Sequence, residues 1–157
     1  MAAHGPPLTP MPVPEALAIV SRARRGLLAL GMPGCSACML LPASLAEIRL
    51  ARPGMAVAIG EFATPADWRE RERLLWPRGI HVSRSSVPAL ALLADGAVVA
   101  TRSGGGPAEV IDRWLAAALG PAAHPLPGGP TPAEIAALDA IAGRVAHQRH
   151  VKHRGGA

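Results

Sequence analysis

Aromatic residues are scarce in this chain: no tyrosine, one phenylalanine and three tryptophans in 157 residues. Phe62, Trp68, Trp76 and Trp114 do not alternate with basic side chains, which excludes the stacking platform of a single-strand nucleic-acid binder. Lysine is rarer still, with Lys152 alone against fifteen arginines, an imbalance we attribute to coding bias. Four of the five net positive charges lie at the C-terminal end. Residues 1–143 hold twelve arginines and eleven acids; the excess is Arg144, Arg149, Lys152 and Arg154, with no acid after Asp139. A basic tail on a neutral body is not a nucleic-acid surface, so no specific nucleic-acid partner is expected.

Two cysteines cannot form a disulfide scaffold, and a chain that is 50% hydrophobic has core enough without one. No apolar run nears the roughly 20 residues that cross a bilayer, so no membrane association is expected. The opening "MAAHGPPLTPMPVPEA" has no basic start and puts prolines where a secretory signal needs an apolar stretch. "RARRGLLALGMPGC" combines arginines, an apolar run and a cysteine, but Leu27 to Leu30 is far too short for an exported signal. The expectation is a soluble cytoplasmic protein. In that reducing setting an isolated Cys-x-x-Cys pair is catalytic or metal-binding rather than structural.

What is present is a regular alternation of elements. Residues 1–14 read as a flexible Pro-rich leader. "PEALAIVSRARR" has proline at a helix start and arginines in the last turn. "GLLAL" and "MAVAIGEF" are continuous apolar runs, the pattern of strands buried on both faces. Between them, "CSACMLLPASLAEIRLA" spaces Cys38, Leu41, Leu45 and Ile48 as a helix from Cys35, with Pro42 kinking it or marking its early turns. "TPADWRERERLLW" opens with Thr64 as N-cap, Pro65 at the first helical position and Asp67 in the first turn. Asp95-Gly96 is a hairpin turn pairing strands 89–94 and 97–102 antiparallel. "PAEVIDRWLAAAL" places Val110, Ile111, Trp114, Leu115 and Ala118 on one helical face.

Beyond a domain spanning 15–120, a Pro/Gly linker is expected over 121–131, an amphipathic helix over 132–148 and a basic tail over 149–157. The stripe Ile135, Leu138, Ile141, Val145 would pack on the domain, on a second copy or on a partner. The order of elements gives an α/β fold: a mixed sheet of about four strands with helices on both faces.

Cys35 and Cys38 admit three readings at this stage: a redox pair, half a metal site, or two small apolar residues in a helix. A metal needs two further ligands. His147, His150 and His153 are spaced to share a broad helical face, but a linker separates them from the cysteines, so no metal is assigned. His4, His81 and His124 read as surface residues. Met32 and Pro33 suit the rim of an apolar docking groove or plain packing. Glu61, at a strand end, is the acid closest to a general-base role, against the plainer reading of an exposed strand-end acid.

The Cys-x-x-Cys opening a helix after the first buried strand, with "SSVPALALLADGAVVATRSGGG" further on, resembles the thioredoxin superfamily over roughly residues 15–119. Val87-Pro88 matches the hydrophobic residue and cis-proline before the hairpin, and Gly104 to Gly106 the glycine after it. The resemblance implies a thioredoxin-like fold and a thiol–disulfide oxidoreductase, with protein or small thiol and disulfide substrates. No cofactor is implied beyond a redox-active Cys35–Cys38 disulfide. Cys35 would be the exposed nucleophile, its thiolate favoured by the helix start, and Cys38 the resolving thiol. Gly34, Val87, Pro88 and Gly104 would meet the substrate, whose chain pairs beside Val87-Pro88 as an added strand. The sequence departs from the family in five ways. Ser36-Ala37 replaces Gly-Pro, Gly34 replaces a tryptophan, Ala29 replaces a buried aspartate, Pro42 falls one residue closer to the second cysteine, and the Cys35-to-Pro88 spacing is longer. The alternative implied by these departures is an assembly chaperone or adaptor on the same fold without redox turnover.

Overall fold

The computed structural model describes residues 8–127 and, further on, positions 133, 136, 137, 139–141 and 143, which are helical. Two compact units meet at Pro127–Gly128. Most of the expected 132–148 helix and all of the basic tail lie outside the described residues.

The first unit is a sheet of five strands, one more than expected. Its strands are β1 (Met11–Pro12), β2 (Arg25–Gly31), β3 (Ala56–Glu61), β4 (Ala89–Ala94) and β5 (Ala97–Ser103), in the spatial order β1-β3-β2-β4-β5. The extra strand comes from the end of the Pro-rich leader. Met11 and Pro12 run parallel to Gly60 and Glu61 on the sheet edge, where a proline's missing N–H costs nothing. Residues 13 and 14 then open the first helix, so the ordered domain begins before residue 15. Two residues rich in proline carry no alternation by which a strand could be read.

The four helices are α1 (Val13–Arg22), α2 (Leu41–Ala51), α3 (Pro65–Leu74) and α4 (Ala108–Leu119). β2 runs parallel to β3 and antiparallel to β4, and β4–β5 is the Asp95-Gly96 hairpin. Asp95 takes φ 49° and Gly96 φ 81°, the left-handed pair that a tight hairpin turn requires.

Alternation along the strands divides the core into two layers. Leu28, Leu30, Ala58, Ala91 and Leu93 face α1 and α3; Leu27, Ala29, Val57, Ile59, Leu90 and Leu92 face α2 and α4. β2 and β4 read as unbroken apolar runs because both of their faces are covered. Each fully buried leucine among them contributes roughly 1.5–3 kcal/mol.

Helix α3 is set by its cap. Thr64 accepts from the Asp67 amide, while the Asp67 carboxylate accepts from the Thr64 amide, a reciprocal box worth about 1 kcal/mol. The helix buries only Trp68 and exposes its Arg/Glu face. Pro77 lies in the short turn Trp76–Arg78 that follows.

Candidate functional site

The site is built at the C-terminal end of β2, where the chain leaves the sheet through Met32-Pro33-Gly34. Cys35 and Cys38 are joined as a disulfide with Cα atoms 5.2 Å apart, and both are half-buried. Gly34 takes φ 77°, a conformation that turns the chain into the Cys35 loop and suits glycine.

The α-helix does not begin at Cys35. Ser36 and Ala37 form a turn, Cys38–Leu40 a single 3-10 turn, and α2 starts at Leu41 with Pro42 in its first turn. The reason is Pro42 itself: it has no N–H and its ring clashes with the carbonyl four residues back, so it fits only a first turn. The cysteine loop is left with the tighter bonds Met39 N–H to Ser36 O and Leu40 N–H to Ala37 O. One consequence expected of a helix start survives: the Cys38 amide donates to Cys35 Sγ at 3.2 Å.

Gly31 makes room for the pair. A Cβ at position 31 would lie 3.2 Å from both Cβ and Sγ of Cys38. Cys38 packs against an apolar layer that includes Ala29, Leu41, Ile59 and Leu90. Ala29 is fully buried, so no carboxylate stands directly below the disulfide.

Pro88 arrives at the same end. β4 runs antiparallel to β2 with Ala89 opposite Leu30, which brings Pro88 alongside the end of β2. The Val87–Pro88 peptide bond is cis. Pro88 is buried; its carbonyl accepts from the Gly104 amide at 2.7 Å. A Cβ on Gly105 would meet Leu41 and Pro88, each at 3.2 Å, so only glycine lets the chain after β5 approach so closely. Leu41 therefore bridges the cysteine loop to the Pro88 region. Val87 is half-buried, and its backbone N–H and C=O make no hydrogen bond among the described residues.

Four of the residues singled out in the sequence thus line one end of the sheet: Cys35, Cys38, Val87 and Pro88. Gly34 and Gly104 flank them on the loops, both with open space where a side chain would begin. Met32 and Pro33 border a groove of about 150 Å³ with Phe62, Thr64, Trp68 and Arg84. Phe62 stacks on Trp68 with ring centroids 4.2 Å apart, and the Arg84 and Arg71 guanidinium groups lie 5.3 and 5.5 Å from the Trp68 ring centroid. Trp68 and Arg84 were not legible as site residues; Trp68 reads as an apolar position on a charged helix. Met39 and Leu40, next to Cys38, are 77% and 61% exposed. His81 and His124 are exposed, and among the described residues no group of three His, Cys, Asp or Glu side chains could hold a metal ion. His147, His150 and His153 lie outside the described residues.

No protein-family model matches the sequence, and no curated protein matches it. Solved structures do match. The oxidised thioredoxin of Plasmodium falciparum superposes with a TM-score of 0.54 at 13% identity, over 71% of this chain and 97% of that one. Thioredoxin O2 of Arabidopsis thaliana gives 0.54 at 16% identity, over 74% and 98%. Desulfothioredoxin of Desulfovibrio vulgaris Hildenborough gives 0.54 at 19% identity, over 71% and 98%. At such identities the likeness is one of fold. The chain has the thioredoxin fold on a five-stranded sheet, with a Cys35–Cys38 disulfide in Cys-x-x-Cys spacing where its central strand gives way to a helix.

Proposed function

We propose that the chain is a thiol–disulfide oxidoreductase working on protein or small-molecule disulfides in the cytoplasm, with Cys35 and Cys38 as its redox pair. The observation that carries the reading is the half-buried disulfide at the open end of the central strand, beside a Val87 backbone that lacks partners. In the reduced protein the Cys38 amide is aimed at Cys35 Sγ and favours its thiolate. Cys35 attacks a substrate disulfide, forming a mixed disulfide and releasing one substrate thiolate. Cys38 then attacks Cys35 Sγ, closing the pair and releasing the second substrate thiolate. An extended substrate segment hydrogen-bonds to Val87 as an added strand. Pro88, with no N–H, keeps a competing donor away from the sulfurs. Gly34 and Gly104 leave the flanks open to that segment. No dissociable cofactor enters this cycle. The reductant belongs to the same reading: the structural neighbour thioredoxin f2, at 17% identity and a TM-score of 0.53, is solved in complex with a ferredoxin:thioredoxin reductase.

A glutathione redox titration of the full chain, read as the mass added by thiol trapping, tests the proposal. The expected result is one reversible two-electron transition, lost in Cys35→Ser. A midpoint near about −270 mV marks a reductase and one near about −120 mV an oxidant. A pair that never re-forms its disulfide refutes the proposal. Retention of a partner by Cys35→Ser would then establish the adaptor alternative, for which the exposed Met39 and Leu40 offer an apolar contact surface.

A further inference from the structure

In the resolving step Cys38 must lose a proton before it can attack, and Ala29, fully buried on the strand beneath it, supplies no carboxylate. The proton acceptor has to come from the side. In the parallel β2–β3 pair, Glu61 is the register partner of Gly31, one strand spacing of about 4.8 Å away. Alternation along β3 puts Val57 and Ile59 in the layer under α2, and Glu61, two residues on from Ile59, projects to the same face. Gly31 has no side chain to stand between them, and Cys38 occupies the space above it, Cβ and Sγ each 3.2 Å from where a Cβ would lie. Glu61 is half-buried, and no hydrogen bond or ion pair of its side chain appears among the described residues.

We infer that Glu61 accepts the Cys38 proton, directly or through one water. The inference rests on the oxidoreductase reading. In the mixed disulfide, the Glu61 carboxylate takes the proton from Cys38 S–H. Cys38 Sγ then bonds to Cys35 Sγ as the bond from Cys35 to the substrate sulfur breaks. The electron pair leaves on the substrate thiolate, and Glu61 passes its proton to solvent. The pair loses the two electrons that the substrate disulfide gains.

Other titratable groups are placed less well. β1 has none, and on β2 Arg25 sits at the far end. The loop 62–64 has none, and the Asp67 carboxylate beyond it is held by the Ala63 and Thr64 amides, each at 2.9 Å. On α2 the first acid is Glu47, nine residues past Cys38. On α4, Glu109 stands in the first turn and Asp112 is paired with Arg52. The 104–107 segment has none.

The test is stopped-flow mixing of the reduced protein with a chromogenic aromatic disulfide, which releases one thiolate as Cys35 attacks and a second as Cys38 resolves. At about pH 7, Glu61→Gln is expected to slow the second phase roughly a hundredfold, the scale of a general base, and leave the first phase near the wild-type rate. Glu61→Asp should recover part of the rate, and Glu72→Gln, on the exposed face of α3, should leave both phases alone. Raising the pH, so that hydroxide can take the Cys38 proton in place of a carboxylate, should narrow the gap between wild type and Glu61→Gln. Two equal phases in wild type and Glu61→Gln at about pH 7 overturn the role of Glu61 and leave the redox reading intact. Release of only one thiolate per wild-type chain overturns both.

Discussion

The two ends of this sheet are built on opposite principles. At the end carrying the disulfide, Gly34 and Gly104 face open space, Met39 and Leu40 lie exposed beside Cys38, and Val87 leaves its backbone groups without partners. At the far end, polar and steric contacts tie the elements to one another. Arg52, 8% exposed, donates from Nε to Asp112 and from Nη2 to the Gly120 carbonyl, each at 2.9 Å, tying the C-termini of α2 and α4 together. The His124 amide donates to Ala51, Asp95 to Arg24, and Gly26 lies hard against Val20. The comparison shows where binding capacity is left: α2 and α4 are tied together at one end, and exposed apolar surface lies beside the disulfide at the other.

If the far end is the anchor, its substitutions should cost stability and those at the open end should not. Arg52→Met strands the partly buried Asp112 carboxylate and the Gly120 carbonyl, with an expected loss of roughly 2–3 kcal/mol in urea unfolding. A loss below about 0.5 kcal/mol would class the pair with ordinary surface ion pairs and dissolve the contrast. Gly26→Ala comes next. Its Cβ would lie 2.8 Å from Val20 Cβ and against the Val20 carbonyl, so overpacking of about 2 kcal/mol is expected from the same measurement. Gly34→Ala should be the mildest, about 1 kcal/mol, because φ 77° penalises a side chain while the space around it is empty. If Gly34→Ala costs as much as Gly26→Ala, the cysteine loop is as tightly held as the far end.

Much of this was legible in the sequence. Continuous apolar runs at 27–30 and 57–59 identify strands covered on both sides, and Asp95-Gly96 requires its hairpin. Thr64, Pro65 and Asp67 write the start of α3 without reference to anything distant, because a cap is local chemistry. The misreadings have equally local causes. Of the two readings of Pro42, a kink or the early turns of the helix, the second holds. Helical spacing from Cys35 to Ile48, however, placed the helix start at Cys35, and the cysteine loop is a 3-10 turn. Met11–Pro12 pairs as a strand only because β3 offers an edge, which two residues cannot announce. Arg52 reads as one surface arginine among fifteen, and its burial depends on Asp112 and Gly120, some sixty residues on.

By itself the sequence determined the alternation of strand and helix, the hairpin and the disulfide spacing, since these follow from hydrophobic period, turn chemistry and the reach of two residues. The tertiary structure alone decided which residues meet. Parallel pairing set Glu61 beside Gly31 and the space held by Cys38, and antiparallel pairing carried Pro88 to the end of β2. Such neighbours are fixed by strand register, and register is settled by which faces can be buried together once every element is present.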